Sequence, residues 1–392
     1  MSNDVRSPLE VFRVFLALGF TSFGGPVAHI GYFRTAFVEQ RQWLSESQFA
    51  QLLAVCQLLP GPASSQLGFG IGLLRAGWLG AIAAFLAFTT PSVVALLLFA
   101  LYLPEGPVTS YVVDGLKLVA VVVVADAVRG MLGNFCPDPR RATIAALAAV
   151  AVLLGPPWMQ LLVILFGAVA SGFLVSGLGS GDAFSLNVPH GHRLGVTLLV
   201  IFGALFLALP LAAGSSTWLA IADTFYRAGS LVFGGGHVVL PLLQEAVVVE
   251  GPVDASRFIA GYGAAQAVPG PMFSFAAFLG AAWGEQPVLF SLVAVAAVFL
   301  PGFLLLGGLL PLWSRFNALP KAQETVAGIN AAVVGLLAAT LYDPVFVTAV
   351  TSVIDLAIVI AGFLLLVSWR LSALYVVVFC VLASVAVGFA GL

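Results

Sequence analysis

Charge is what this sequence lacks most. Asp, Glu, Lys and Arg together make up 8% of its 392 residues, whereas a soluble domain carries about 25%. Hydrophobic residues make up 61%, and the net charge is only −2, with no long run of basic residues. A nucleic-acid partner is therefore not expected. The composition predicts an all-α polytopic membrane protein whose main partner is the lipid bilayer.

Cysteine and catalytic groups are also scarce. The three cysteines, Cys56, Cys136 and Cys380, lie far apart without a C-x-x-C spacing, so neither a disulfide framework nor a zinc site is expected. The sequence has no Ser/His/Asp set and no Walker motif, the patterns typical of nucleophilic catalysis and of ATP binding. We therefore expect no enzyme activity, no cofactor and no metal.

Long apolar runs fill most of the chain instead. Because a span needs roughly 20 apolar residues, we predict about 13 transmembrane helices, arranged as six, one and six. The predicted units are an N-terminal repeat over residues 1–192, a connector helix over residues 193–213 and a C-terminal repeat over residues 214–392. The single connector reverses the second repeat, so the two repeats are expected to have inverted topology.

One motif interrupts two of these apolar runs. Pro60-Gly61-Pro62 lies inside the run over residues 48–74, and Pro269-Gly270-Pro271 lies at the matching place in the run over residues 255–281. The two glycines are 209 residues apart, about half the chain. Proline cannot continue a helix, and irregular backbone within a membrane is buried in protein or lines a cavity. We therefore predict two broken helices that meet at a transport site.

The loop charges predict an orientation. Lys and Arg favour the cytoplasmic side, and their distribution, with Arg75 on that side, places the N-terminus in the cytoplasm and the C-terminus in the periplasm. Arg34 and Arg41 are exceptions, because they follow the first predicted helix and fall on the outer side. The segment over residues 26–47 has an amphipathic pattern, so we predict that it folds back into the protein.

Several motifs resemble those of a known family. They are FGGPVAHIGYFR at residues 23–34, WLSE at 43–46, CQLLPGPASSQ at 56–66, FGGGH at 233–237 and QAVPGP at 266–271. In these motifs, and over nearly its whole length, the chain resembles the chromate ion transporter (CHR) family in its two-domain form. The resemblance implies a bacterial inner-membrane protein that exports chromate and confers chromate resistance. It also implies dependence on the proton-motive force, with sulfate as a mimic of chromate.

Chromate is a tetrahedral dianion, so its site needs hydrogen-bond donors and a positive field. The helix that starts after each break offers free N–H groups and the positive end of its dipole. The predicted substrate-binding residues around the breaks and the two Gly-rich segments are Gln57, Gly61, Ser64, Ser65, Gln66, Gln266, Gly270, Ser274, Gly24, Gly25, Gly234 and Gly235. The alternative is that the prolines only kink packed helices, whose freed carbonyl groups these side chains satisfy.

Lys117 is the predicted cation of this site. It lies in an apolar helix, where inserting a charged group costs at least roughly 2.5 kcal/mol, so such a group is usually functional. Its counterpart in the second repeat is Asn330, and the two residues are expected to flank the anion. Alternatively, Lys117 pairs with Asp114, three residues earlier on the same helix face, and serves only the structure.

Four residues are candidates for gating or proton coupling, namely His29, Arg34, Asp126 and His237. The two histidines flank the Gly-rich segments, and a histidine titrates near neutral pH. Asp126 is predicted to pair with Arg129, a mainly structural role, although it is also the deepest acidic residue of its helix. Arg34 is equally compatible with collecting anions at a mouth of the protein and with a plain surface position.

Three modes of transport remain open from the sequence. The first is a carrier that exports chromate as the two repeats rock around the Pro-Gly-Pro junction. The second is an anion channel that uses the same breaks as a filter, and the third is a transporter of sulfate or another oxyanion. A homodimer is compatible with each of them. A dianion leaving a negative cytoplasm gains about 4.6 kcal/mol per 100 mV, so export does not require ATP.

Overall fold

The computed structural model describes residues 7–23, 25–102, 107–156, 159–174, 191–233, 239–249, 251–313 and 320–390. Every regular element within those ranges is helical, which confirms the all-α prediction. Five helices there are long and apolar enough to cross a membrane by length and composition. Several other apolar helices are shorter.

The first half of the chain contains seven α-helices in its described ranges. They are α1 (Pro8–Thr21), α2 (Gly25–Arg34), α3 (Glu46–Leu58), α4 (Ala63–Tyr102), α5 (Pro107–Phe135), α6 (Pro139–Leu154) and α7 (Met159–Leu174). The π-helical segment Thr35–Gln40 extends α2. Ser45 caps α3, and the Gln48 side chain completes a capping box, so the chain enters α3 at a strong local start signal.

The connector and the second half contain nine α-helices longer than one turn in their described ranges. The helices are α8 (His192–Ala212), α9 (Thr217–Leu231), α10 (Val239–Gln244), α11 (Ala255–Ala267), α12 (Phe275–Ala282), α13 (Pro287–Leu309), α14 (Pro320–Thr340), α15 (Val353–Val367) and α16 (Ala373–Ala390). Short 3₁₀ or π segments adjoin them, at Ala213–Ser215, Glu245–Val249, Met272–Ser274, Leu310–Leu312 and Leu341–Phe346, and one further helical turn spans Val347–Ala349. Asp254 caps α11, as Ser45 caps α3 in the first half.

The predicted interruption at Gly61 is confirmed. Leu59 is extended, with φ −81° and ψ 148°, which is the conformation that a residue before a proline prefers. Gly61 then has φ +120°, a backbone conformation that side-chain-bearing residues rarely adopt. Helix α3 therefore ends at Leu58, and α4 starts again at Ala63.

The chain reverses at this break instead of continuing across it. A Cβ on Gly70 would lie 2.8 Å from Leu52 Cδ1, and both residues are nine positions from Gly61. Helix α3 and residues 63–75 of α4 therefore form an antiparallel hairpin with Gly61 at its tip. The prediction of one span running through residues 48–74 is wrong in this respect, because the turn direction depends on packing that proline alone does not specify.

The second break is also the tip of a hairpin. Gly270 has φ +108°, and a Cβ on Gly261 of α11 would run into the ring of Phe278 on α12. Since Gly261 and Phe278 lie on opposite sides of Gly270 at nearly equal distances along the chain, α11 and α12 run antiparallel. The predicted span over residues 255–281 is corrected in the same way.

The chain reverses again at Gly77, within the residues assigned to α4. Gly77 has φ 67° and ψ −159°, and the carbonyl oxygens of Gly72 and Gly80 each lie where a Cβ on the other glycine would be placed. The residues on either side of the corner are therefore packed backbone to backbone, which only glycines permit. Helix α4 consists of two antiparallel arms, residues 63–75 and residues 78–102.

The segment over residues 26–47 folds back into the protein, as the sequence predicts. Phe33 and Phe37 are fully buried, and their ring centroids lie 5.6 and 4.9 Å from that of Phe15 on α1. Helices α1 and α2 thus form another hairpin, held together by aromatic packing of about 0.5–1.5 kcal/mol per pair beyond the burial itself.

This return brings the chain back to the end where α1 begins. The Arg75 guanidinium lies 5.0 Å from the centre of the Trp43 ring, and its Nη2 is 3.4 Å from Glu10 Oε2. Arg34 and Arg41 precede Trp43 closely in the chain, so they come to the Arg75 end of the molecule. This position agrees with the predicted fold-back of residues 26–47, which removes the exception in the predicted charge distribution.

The two halves exchange helices. Helix α5 of the first half packs against α11, α15 and α16 of the second, while α14 of the second half packs against α6 and α7 of the first. Glycines allow the close approach: a Cβ on Gly115 would lie 2.6 Å from Val381 Cα, and one on Gly167 would lie 2.5 Å from Gly328 O. The halves are therefore interlocked, not two bodies placed side by side.

The corresponding long helices of the two halves pack against each other. Trp78 lies next to Gly307, where a Cβ would be 2.9 Å from Trp78 Cη2, and the Phe85 and Phe299 rings are 5.1 Å apart. Residue numbers thus rise along α4 while they fall along α13, so the two helices run antiparallel. Each of them also carries an internal proline.

Asp138 stabilises the start of α6 in a way that depends on pH. Its carboxylate caps α6 by accepting bonds from the Arg140 and Arg141 N–H groups, both at 3.0 Å, and these bonds, with the Arg141 side chain, hold the pKa of Asp138 below its ordinary value. A depressed pKa means that the contribution is full above the unfolded value and is lost as the pH falls through the folded value.

We therefore expect amide exchange at the start of α6, corrected for the intrinsic pH effect, to accelerate below about pH 4. Asp138→Ala should show the fast exchange at every pH, because the cap is missing. Asp254→Ala, which removes the cap of α11, is the matched control and should leave exchange in α6 unchanged. Equal exchange in wild type and Asp138→Ala at neutral pH would contradict the prediction.

Candidate functional site

The two hairpin tips are hydrogen-bonded across the halves. Gly61 N–H donates to Val232 O at 2.7 Å, and Gly270 N–H donates to Ser22 O at 3.0 Å. Ser22 follows α1 and Val232 follows α9, so these are equivalent contacts made in both directions. Each tip is therefore anchored on the opposite half, immediately after that half's first helix.

Side chains reinforce this junction. The Gln66 side chain is fully buried, and its Nε2 donates to Pro60 O at 2.9 Å and to Gly302 O at 3.0 Å. At the second tip, the hydroxyl groups of Ser274 and Ser92 are 2.6 Å apart. Gln66 thus ties the first tip to α13, and Ser274 ties the second tip to α4.

A cavity of about 520 Å³ lies beside the Gly61 tip. Its walls come from α2, the end of α3, the start of α4 and the C-terminal half of α5, with Gln266 of α11 and residues 371–373 closing it. The size falls within the usual range for small-molecule sites. The wall therefore combines both halves of the chain.

Equivalent glutamines from the two halves line this cavity. Gln57 and Gln266 each precede a Pro-Gly-Pro tip and are 209 residues apart, and both contribute to the same wall. Gln266 is buried, and its Nε2 has no hydrogen-bond partner among the described residues. A buried donor without a partner is costly, so this amide has an unused hydrogen-bond donor in the cavity wall.

One ion pair supplies the charge of the cavity. Among the described lining residues, Asp126 and Arg129 are the charged ones. Arg129 Nε and Nη2 donate to Asp126 Oδ1 at 3.1 and 2.8 Å, so the predicted pairing is confirmed. Within the described ranges, no three His, Cys, Asp or Glu side chains are grouped to hold a metal ion.

Helix α5 presents one face to the cavity. That face is formed by Val123, Asp126, Ala127, Gly130, Met131 and Asn134, which follow the helical period. The sequence analysis missed Asn134 and Ser372 as lining residues and gave Arg129 only a structural role. The signal for Asn134 was available, because Asp126 and Asn134 lie eight positions apart on one face of a largely apolar helix.

The structure separates the residues predicted around the breaks into two sets. Gly25, Gln57, Gly61 and Gln266 line the cavity, together with the gating candidate Asp126. Of the remaining described members, Gly270 forms the second tip itself, and the residues buried behind the tips are Ser64, Ser65, Gln66 and Ser274. Ser65 Oγ and Gln66 Oε1 have no partner in the described part of the chain.

Lys117 and Asn330 do not line the cavity. Lys117 Nζ lies 2.8 Å from Asp114 Oδ1, and the lysine side chain is 13% exposed, so the structure contains the ion pair that the alternative interpretation required. Asn330 is buried, and its Oδ1 has no partner among the described residues.

The gating candidates occupy different places. His29 is buried, with Nε2 3.2 Å from Ser22 O, the same carbonyl that Gly270 N–H uses. Arg34 lies at the surface, where its hydrogen bond and charge interaction with Glu46 raise its pKa. Four predicted residues fall outside the described residues, namely Gly24, Gly234, Gly235 and His237.

Comparison with known proteins gives consistent matches over most of the chain. The family model described as "Chromate transporter" matches residues 9–173 and 219–388. A probable chromate transport protein of Synechococcus elongatus is 30% identical over 378 residues, covering 92% of this chain and 90% of the relative. A chromate transport protein of Pseudomonas aeruginosa is 30% identical over 406 residues, covering 96% and 91%. An uncharacterized transporter of Methanocaldococcus jannaschii is 27% identical over 341 residues, covering 85% and 83%. No solved structure matches the chain.

Proposed function

Because this chain belongs to the chromate transporter family, we propose that it is a secondary transporter that exports chromate from the cytoplasm and confers chromate resistance. The observation that carries the proposal is the cavity lined by Gln57 and Gln266, equivalent residues from the two halves. Each amide offers N–H donors to an oxyanion.

The cavity suits a tetrahedral dianion. Its described lining has donors in Gln57, Gln266, Asn134 and Arg129, and most of the remaining wall is apolar. Hydrogen bonds to a charged acceptor are stronger than neutral ones, and an apolar wall strengthens them further. Sulfate has the same shape and charge, so it should compete with chromate for this site.

The architecture we propose is an inverted repeat, with units at residues 1–192, 193–213 and 214–392. It is supported by the antiparallel packing of α4 and α13 and by the reciprocal bonds of the two tips. Phe389, close to the C-terminus, packs on Tyr111, with ring centroids 6.0 Å apart, whereas Glu10 lies at the Arg75 end. We place the N-terminus in the cytoplasm of a bacterial inner-membrane protein and the C-terminus in the periplasm.

Export is proposed to be driven by the membrane potential, which contributes about 4.6 kcal/mol per 100 mV for a dianion. If export is coupled to the proton-motive force, Asp126 is the proposed proton carrier, since it is the described acidic residue in the cavity wall.

The interlocked helices do not allow the repeats to rock as separate bodies. The proposed moving parts are the hairpins α3–α4 and α11–α12, whose tips border or adjoin the cavity.

Transport into inside-out membrane vesicles tests the proposal. Wild-type protein should take up chromate with saturation, and the double variant Gln57→Ala/Gln266→Ala should raise the KM roughly tenfold or more, because it removes two donors worth about 1 kcal/mol each. Gln51→Ala is the matched control, since its amide bonds Ser47 on the surface of α3. It should keep the wild-type KM.

The same assay separates the other modes of transport. An ohmic, non-saturating chromate current would indicate a channel, and saturable sulfate uptake without chromate uptake would indicate a different physiological anion. Wild-type vesicles without chromate flux, or a double variant with an unchanged KM, would contradict the proposal.

A further inference from the structure

We infer that Arg129 is the cation that binds the transported oxyanion, which displaces Asp126 from the guanidinium. The inference rests on the proposed function and names a binding residue within the same cavity. Both residues line the wall, whereas Lys117, the cation that the sequence favours, is engaged with Asp114 outside it.

The geometry of the Asp126–Arg129 ion pair allows Arg129 to exchange Asp126 for another anion. Arg129 directs both Nε and Nη2 to a single oxygen, Asp126 Oδ1, while no bond to Oδ2 is formed in the described part of the chain. The Arg129 side chain is 59% exposed and that of Asp126 is 34% exposed. Exposed pairs within one helix turn contribute little to stability, so a ligand meets little resistance in opening this one.

A tetrahedral oxyanion is a better partner for this guanidinium than Asp126. Two of its oxygens can accept the parallel N–H donors of the guanidinium fork, which gives a two-point contact. Asp126 uses only one oxygen for both donors. The dianion also has twice the charge of a carboxylate, so the exchange favours the ligand electrostatically.

Neutral donors complete the shell around the bound ion. Gln266 is 7% exposed, and its Nε2 lacks a described partner, while Gln57 lines the same cavity from the first half. Arg129 lies on α5 of the first half, and α5 packs on α11, which carries Gln266. An ion held by Arg129 and Gln266 therefore bridges two packed helices from different halves of the chain.

As long as Arg129 stays paired with Asp126, the described lining gives the cavity no net positive charge. Asp126 pairs with Arg129 in the cavity wall, so their charges cancel. When Arg129 turns to the oxyanion, Asp126 is left beside a dianion that repels it. Asp126 therefore acts as a competitor for the guanidinium, and removing its charge should strengthen binding.

The test is radiolabelled chromate uptake by the full-length protein in proteoliposomes. Arg129→Gln should raise the KM about tenfold, which corresponds to about 1.4 kcal/mol, with less effect on the maximal rate. Arg129→Lys should recover part of this loss, because it keeps the charge but not the fork. Asp126→Asn should lower the KM, because the guanidinium loses its competitor, while the loss of a proton carrier should appear in the maximal rate and not in the KM.

Arg193→Gln is the matched control. Arg193 is exposed at the start of α8 and lies outside the cavity wall, so its loss should not change the KM. A purely structural ion pair predicts that Asp126→Asn and Arg129→Gln fail alike, with reduced amounts of folded protein and the same KM.

That result, or a wild-type KM in Arg129→Gln, would overturn the assignment of Arg129 while leaving chromate transport intact. A wild-type protein that takes up no chromate would overturn the proposed function and this inference together. Retention of tight uptake by Asp126→Asn alongside weak uptake by Arg129→Gln would support the exchange.

Discussion

Gly61→Ala should abolish chromate transport and reduce the amount of folded protein. Gly61 has φ +120°, and holding a side-chain-bearing residue in such a sparsely populated conformation costs about 1–3 kcal/mol. The added Cβ would also lie 3.0 Å from Gln66 Nε2 and 3.1 Å from Gly302 Cα. Relief of either contact moves the tip away from Val232 O, its hydrogen-bond acceptor.

Gly270→Ala should behave in the same way, because the second tip is built alike. Gly270 has φ +108°, and its added Cβ would lie 2.9 Å from Ser92 Oγ. Gly31→Ala is the control without either problem, since nothing lies within 4 Å of its Cβ position. Gly77→Ala separates the two causes, because Gly77 has φ +67° but open space around it.

Protein abundance in the membrane and vesicle uptake measure all four variants. The expected order is wild-type behaviour for Gly31→Ala, an intermediate loss of stability for Gly77→Ala, and loss of transport for both tip variants. Wild-type transport by Gly61→Ala would show that the tip need not hold this conformation, and would contradict the role of the hydrogen bond between Gly61 and Val232.

Gln66→Leu should have the second large effect, a loss of about 2–4 kcal/mol of stability. Leucine fills a similar volume but donates no hydrogen bond, so Pro60 O and Gly302 O both lose the donor they have now. An unsatisfied buried polar group costs about 1–3 kcal/mol. Since Gln66 joins the first tip to α13, the variant should also lose transport.

Thermal unfolding of the purified protein in detergent measures this loss. Gln51→Leu is the matched control, because the Gln51 amide bonds only Ser47 on the exposed side of α3, and its Tm should stay near the wild-type value. A Tm for Gln66→Leu equal to that of Gln51→Leu would show that the Gln66 bonds to Pro60 and Gly302 contribute nothing measurable.

The hydrogen bond from each hairpin tip to the opposite half limits how far the tip can move. Gly61 and Gly270 each bond to the other half, and neither tip can move far without breaking a buried backbone hydrogen bond. The helix exchange of α5 and α14 holds the surrounding framework in place. A ligand at the cavity wall therefore acts close to the few hydrogen bonds that a change of state must break.

Local features of the fold could be predicted from the sequence. The position of both breaks follows from Pro60 and Pro269, since proline removes a backbone donor, and the start of α3 at Ser45 follows from its capping pattern. The Asp126–Arg129 pair follows from helical spacing. Each of these depends on residues within a few positions of one another.

Parts of the candidate site could not be predicted in that way. The sequence favours Lys117 as the cation because it lies in an apolar helix, yet its neighbour Asp114 pairs with it. Arg129 appeared to be merely paired, and only its position in the wall gives it another role. Which charged pair faces a cavity depends on how α5 is rotated against α3 and α11, and no local pattern encodes that rotation.

The sequence by itself determined that this protein is a helical membrane transporter with two matching interruptions at Pro-Gly-Pro. Composition, proline chemistry and helix caps act locally, so their effects can be predicted without knowledge of the tertiary contacts. Only the tertiary structure decided that the chain turns back at Gly61 and Gly270, and that Gln57 and Gln266 share a cavity with Arg129. The direction of a chain after a break is set by packing such as that of Gly70 on Leu52, and the junction depends on hydrogen bonds between residues about half the chain apart.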